Sequence, residues 1–361
     1  MPDHPRVVEL FLQLAAIEGT SGHERGVADY IRQFLGGLGM EVREDEARDP
    51  SGGDSGNVVA RAGGGGDLAL LAHMDTARPS GASKPQIHTD RITSDGTTVL
   101  GVDNRAGIAI LLCAAEQVLA RGPSNFTLGF TICEETSMVG AQQISLGASV
   151  RQAACFDSSL RPGNIVCRSY GCRHLVVTVK GKASHSGIAP ERGINAIAVA
   201  AKAIARLPLG RIDGETTANV GLIRGGTATN VVPDEVIVEA EIRSVRAARV
   251  DELVDLFTQR FRDEAAAAGA TIDMQSTWDF EPYTVDTTSP LYRRVARAMQ
   301  TVGLDATQQV SAGGADANSR NARGLPTVNL GIGAANPHGN DEYILLDDLA
   351  TGAAIATALI S

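Results

Sequence analysis

Two histidines and a scatter of carboxylates sit where apolar runs end. His73 and Asp75 close the stretch Leu68-Ala-Leu-Leu-Ala-His-Met-Asp-Thr76, and Asp103 lies in Leu100-Gly-Val-Asp-Asn-Arg-Ala-Gly107. Glu134 and Glu135 follow the apolar run Phe126–Cys133, Asp157 follows Ala153–Phe156, and His338 stands in Asn336-Pro-His-Gly-Asn-Asp341. Adjacent carboxylates at the end of a buried strand are costly unless a cation or a proton separates them. Divalent metals take oxygen and imidazole ligands, and zinc accepts both. Five such groups, His73, Asp103, Glu135, Asp157 and His338, suit two metals if one carboxylate bridges. Asp103 is the central candidate, because it lies at a helix start where both oxygens can face a cavity. Two neighbouring metals activate a shared water and polarise a carbonyl. Glu134, next to a ligand but displaced in direction, is placed to take that water's proton. Asp75 is placed to fix the His73 ring through its other nitrogen.

The elements that must position these groups follow from periodicity. Leu68–His73 reads as a buried strand, and residues two apart point the same way, so His73 and Asp75 share the carboxyl end where open α/β sheets place ligands. Further strands are expected at 40–43, 57–61, 126–133, 153–156, 309–311 and 326–331. Helices are expected at 7–16, 24–35, 106–120, 290–302 and 346–359. Ser21 offers a cap for the second helix, and Asp103 stands where an ordinary N-cap would also serve. Residues 45–56 read as a surface loop, and 78–98 as a long loop or irregular hairpin. From about Cys172 the rhythm changes to β-α-β-β-α-β, a ferredoxin-like unit. The expected fold is therefore α/β: a catalytic domain of residues 1–171 and 284–361, with a mixed central sheet flanked by helices, and an inserted α+β domain of residues 172–283.

Composition removes several function classes. The 361 residues carry a formal net charge of −10, with no block of Lys or Arg, so nucleic acid and anionic membranes are poor partners. No apolar run is long enough for a membrane span, and Met1–Pro5 shows no basic-then-apolar leader. The five cysteines lack a Cys-x-x-Cys pair, which fits reduced, buried thiols and a cytoplasmic protein. The chain has no His-Glu-x-x-His helix, no Gly-x-Ser-x-Gly elbow and no phosphate-binding loop.

The spacing of His73-Met-Asp75-Thr, Gly101-Val-Asp103-Asn-Arg-Ala-Gly, Glu134-Glu135, Asp157 and Asn336-Pro-His338-Gly resembles the co-catalytic dizinc exopeptidase and deacylase family. That family includes peptidase T, carboxypeptidase G-type enzymes, and the acetylornithine and succinyl-diaminopimelate deacylases. Thr76 and Asp157 look most like the peptidase T branch. The resemblance implies one zinc held by His73, Asp157 and bridging Asp103, and another by Asp103, Glu135 and His338, with cobalt or manganese as alternative metals. Glu134 would act as base and then acid. It further implies a homodimer formed through the inserted domain, with His185 stabilising the tetrahedral intermediate, often across the dimer. Arg224 and Asn230 match a segment that approaches substrate, and Asp316 and Asn318 a loop beneath the active site. Asn104 stands where many relatives carry a second Asp, which removes a charge but no ligand. The expected activity is metal-dependent aminopeptidase or dipeptidase action on short peptides. The alternatives are N-acyl amino acid deacylase or carboxypeptidase action, and a non-catalytic dimeric metabolite-binding protein.

Overall fold

The computed structural model describes residues 5–361; Met1–His4, part of the stretch on which the leader expectation rests, lie outside them. The chain divides into two compact units. The first runs to Arg168 and resumes with Thr284–Ser311 and Ala315–Ser361; the second is Ser169–Tyr283 with Ala312–Gly314. Those last three residues belong, in the sequence reading, to the first domain. Among the described residues no helix is long and apolar enough to cross a membrane. All five cysteines are free and buried.

The first unit is built on a mixed sheet. Its central strands run Glu41–Glu44, Val58–Ala62, Phe126–Thr131, Leu68–His73, Gln152–Ser158 and Thr327–Gly331, in that spatial order. Leu68–His73 pairs in parallel with Phe126–Thr131 on one side and Gln152–Ser158 on the other. Every residue of Leu68–His73 and of Phe126–Thr131 is buried, which is why these strands read as continuous apolar runs rather than alternating ones. The crossover helix Val102–Leu119 is apolar around almost its whole circumference and packs between the sheet and the helices Arg6–Ala15 and Leu346–Ile360. The chain leaves Leu68–His73, crosses to one neighbour and then returns to the other. The carboxyl end of that strand is thus a topological switch point, where a crevice opens.

Several local expectations change. Residues 45–56 hold a short helix, Arg48–Ser51. Within 78–98 the strands Gln86–Ile87 and Arg91–Thr93 form a small hairpin extended by Tyr343–Leu345. The strand Asn164–Ser169 and the helices Val139–Gln143 and Asp316–Ala322 are too short to leave a period in the sequence. Asp157 falls inside the strand Gln152–Ser158, not beyond it. Ser21 caps nothing: its hydroxyl donates to Asp75 Oδ2 at 2.6 Å.

The second unit is an antiparallel sheet ordered Gly210–Asp213, Thr216–Gly225, Glu235–Ser244, Gly171–Lys180, Thr271–Phe280. This is the ferredoxin-like order with one extra edge strand, Gly210–Asp213. Inward residues Val177, Val179, Val236, Val238 and Ile242 pack with the helices Ala196–Ile204 and Ala247–Ala268, through Phe257 and Phe261 among others. Asn195 starts the first of these helices by accepting a hydrogen bond from the Ala198 N–H at 3.0 Å. In the first unit, Phe130 is fully buried at the centre of the sheet. Phe130→Ala is expected to cost about 3–5 kcal/mol, read as a lowered urea midpoint with an unchanged slope.

Candidate metal centre

His73 delivers its ring from the end of Leu68–His73 and is 1% exposed. Its Nε2 lies 3.0 Å from Asp103 Oδ1 and 3.2 Å from Asp157 Oδ1. His338 Nε2 lies 3.4 Å from Asp103 Oδ2 and 3.1 Å from Glu135 Oε1. The two oxygens of Asp103 therefore face two different imidazoles, each backed by a second carboxylate. Ligand atoms of His73, Asp103 and Glu135 all lie within 4.8 Å of one another. Glu135 Oε1 is buried and, despite its nearness to His338, makes no hydrogen bond. An orphaned carboxylate oxygen among imidazoles and acids is a donor set that fits divalent cations.

The supports explain the convergence. Asp75 is fully buried. Its Oδ1 lies 3.2 Å from His73 Nδ1 and accepts from the Glu134 N–H at 3.0 Å; its Oδ2 accepts from the Glu135 N–H at 3.1 Å and from Ser21. The turn that aims these N–H groups passes through Cys133 at φ 54°. Glu24, also fully buried, accepts from the Cys133 N–H at 3.0 Å. Asn104 donates to the Phe156 carbonyl at 2.8 Å and to Asp157 Oδ1 at 3.3 Å. Arg78 reaches the His338 carbonyl at 3.1 Å and Asn340 Oδ1 at 3.0 Å, pinning the loop on which His338 adopts φ 66°. Arg105, wholly buried, donates to the carbonyls of Met74 and Gly19.

The protonation pattern is that of a cluster short of positive charge. Burial opposes a charged His73, yet Asp157 above all, with Asp103 and Asp75, raises it well above its ordinary value. Burial pushes Asp103 upward, but hydrogen bonds to His338 and His73 hold it well below the usual range. Burial drives Glu134 well up, helped by Asp157, Asp316 and Glu135. His338 rises to about 10 beside the carboxylates of Asp103 and Glu135. Burial lowers Arg105 to about 10.

A family model described as a peptidase dimerisation domain matches residues 169–268. The peptidase T of Macrococcus caseolyticus is 25% identical, over 86% of this chain and 78% of its own. The crystal structure of aminopeptidase PepT from Bacillus cereus superposes with a TM-score of 0.89 at 33% identity, over 98% of this chain and 97% of that one. A tripeptidase structure from Staphylococcus aureus gives 0.91 at 30% identity, with the same coverage of both chains. The chain belongs to the M20 family of metallopeptidases, in its peptidase T-like branch.

In this M20 chain the remaining expected site residues fall into two groups. His185, Arg224 and Asn230 lie in the second unit. His185 bridges to Val231, and the Ser186 N–H donates to the Asn230 carbonyl at 3.0 Å, so His185 and Asn230 sit on adjoining segments. Arg224 is held by Glu239 Oε1 at 2.5 Å. Asp316 and Asn318 lie in the first unit on a helix, not a loop, and are 2% and 0% exposed. Asp316 accepts from the Thr131 hydroxyl, and burial raises it to about 7; the Asn318 side chain accepts from the Ala315 N–H at 3.1 Å. Sequence reasoning missed Glu24, Arg78, Arg105 and Glu342. Arg105 stands two residues beyond Asp103, Arg78 three beyond Asp75 and Glu342 four beyond His338, so nearness to a candidate ligand was the signal that could have found them.

A metal ion binds neutral imidazole, so the proton that Asp103 and Glu135 hold on His338 must leave when the centre fills. Loading the metal-free protein at pH 7 is expected to release protons, and affinity is expected to rise with pH. Calorimetric titration in two buffers of different ionisation enthalpy measures the release directly.

Proposed function

We propose that this chain is a two-metal aminopeptidase that removes residues from short peptides, with zinc as the first choice of metal. The observation that carries this reading is the bifacial Asp103, whose oxygens address His73 with Asp157 on one side and His338 with Glu135 on the other. Imidazole and carboxylate together suit zinc, and the relatives named above are an aminopeptidase and a tripeptidase. When bound, a pair of divalent ions acidifies a water and polarises the scissile carbonyl. The chain's own residues do the rest. Asp75 holds the His73 ring through Nδ1, leaving Nε2 turned toward the two acids. Glu134 has its backbone locked by Asp75, and its carboxyl group, pushed upward by burial, can keep a proton between steps. It takes a proton from the attacking water and returns it to the departing amine. His185 and Asn230 are assigned to the oxyanion and the substrate backbone, Arg224 to the approach of substrate, and Asp316 and Asn318 to support beneath the site.

Glu134→Gln is expected to lower kcat by about 100- to 10,000-fold while metal content, read by elemental analysis, stays at the wild-type level. Free tripeptides should be cleaved, and the same peptides with a blocked amino end should not. Cleavage confined to N-acetyl or N-succinyl amino acids would instead establish a deacylase.

The second unit supports a homodimer. The strand Thr216–Gly225 is paired along its length with Glu235–Ser244, but Gly210–Asp213 covers only Thr216–Ala218 on its other side. The rest of that edge carries Leu222 and Ile223, 46% and 51% exposed, and the neighbouring helix exposes Ile197. An uncovered apolar edge is a template for a second strand, and the matched family model is a dimerisation domain. Ile223→Asp is expected to convert the dimer to a monomer in sedimentation at micromolar concentration, without unfolding the chain.

A further inference from the structure

Asp103 and Asn104 break the first turn of Val102–Leu119 with non-helical φ/ψ, and the Asn104 side chain caps the helix proper by accepting from the Gly107 N–H at 2.9 Å. The backbone just before that cap, which carries Asp103, is held by another residue. Glu342 Oε2 accepts from the Gly101 N–H at 2.7 Å, and Glu342 Oε1 accepts from the Asp103 N–H at 3.1 Å. Gly101 sits at φ 77°, a left-handed conformation that lets its N–H and that of Asp103 converge on one carboxylate. Glu342 is 1% exposed and arrives from the chain just after His338. That chain is itself anchored: the Ser94 N–H donates to the Glu342 carbonyl at 3.2 Å, and Tyr343 pairs with Ala335.

We propose that Glu342 is a positioning residue that clamps the backbone carrying Asp103. By accepting from the N–H groups of Gly101 and Asp103, it fixes the stretch from which the two Asp103 oxygens reach the two imidazole-bearing sides of the centre. It also ties the backbone of Asp103 to the loop that carries His338, so the two groups keep their spacing. Without Glu342, the Asp103 backbone loses that clamp, and Oδ1 and Oδ2 cease to face His73 and His338 together. The inference rests on the two-metal reading and deepens it: the bridging geometry depends on a residue that touches no ion.

The test uses the full chain, stripped by chelator and titrated with Co2+ alone, for wild type, Glu342→Gln and Glu342→Ala. Affinity is measured by competition with a chromophoric chelator, geometry by the visible spectrum of the cobalt form, and fold by the thermal midpoint of the metal-free protein. Glu342→Ala is expected to weaken Co2+ binding by about 10- to 100-fold and to alter the spectrum. Glu342→Gln keeps one acceptor oxygen and should fall between, with a metal-free midpoint close to wild type. Unchanged affinity and spectrum in both variants would overturn the proposal. So would losses of affinity that merely track losses of metal-free midpoint. Should the alanine variant fail to fold, the glutamine variant decides alone. A wild-type chain that takes up no Co2+ would overturn the two-metal reading itself, an outcome distinct from wild-type binding with unaltered variants.

Discussion

The centre depends on one buried carboxylate that is not a candidate ligand. Asp75 gathers four donors from three stretches of chain: the His73 ring from its own strand, the Ser21 hydroxyl from the amino-terminal turn, and the N–H groups of Glu134 and Glu135 from the next strand's end. The register makes this possible, because His73 lies directly beside Thr131 in the parallel pair, so both strands finish at the same level. Beyond that point the chain must turn sharply to present two consecutive N–H groups to one acid. It does so through Cys133 in the left-handed region, at a cost of about 1–2 kcal/mol for a residue with a Cβ. Hydrogen bonds to an ionised acceptor are the stronger kind, and several converge here to offset that strain.

Much of this was legible in the sequence, and the reason is topological. His73, Glu134, Glu135 and Asp157 each lie within or just past an apolar run, and parallel strands buried on both faces announce themselves as such runs. The crossover from Leu68–His73 to both of its neighbours then forces their carboxyl ends together. Of the supports, Asp75 was legible from its place two residues past His73, whereas Glu24 and Glu342 were not. Glu24 accepts from a backbone N–H 109 residues away, and Glu342 from one 241 residues away. A backbone N–H belongs to nearly every residue, so nothing at either end of such a bond marks its partner. Ser21 failed for the opposite reason: its local pattern suited a cap, and the tertiary demand of Asp75 prevailed. Asp103 is no cap either: Asn104 caps the helix through the Gly107 N–H, and Glu342 holds the Asp103 N–H from afar.

Asn104 gains meaning from its contacts. Read as a lost charge, it looks like a simple weakening of the acidic cluster. In place, its amide nitrogen donates to both the Phe156 carbonyl and Asp157, and its oxygen accepts from the Gly107 N–H at 2.9 Å. An aspartate could not donate both bonds while ionised. A Cβ at Gly107 would overlap Asn104 Oδ1 and the Phe156 carbonyl, so the glycine and the asparagine form one fitted unit at the root of the crossover helix.

The distribution of donors across these acids separates support from function. Asp75 and Glu342 receive two or more hydrogen bonds each from backbone or hydroxyl groups, spread over both oxygens, and Arg105 places a buried positive charge nearby. Asp103 and Glu135 instead face imidazoles, Asp157 has one imidazole and a single long amide contact, and one Glu135 oxygen is left without a hydrogen bond. A fold selected only for stability would distribute its N–H groups the other way, because an unsatisfied buried carboxylate costs several kcal/mol. Leaving the inner acids short of donors keeps their lone pairs convergent and their charge uncompensated. The most effective relief for that excess is a pair of small, doubly charged cations. The same shortage that strains the metal-free protein therefore supplies the affinity of the centre, and the well-satisfied outer acids hold it open.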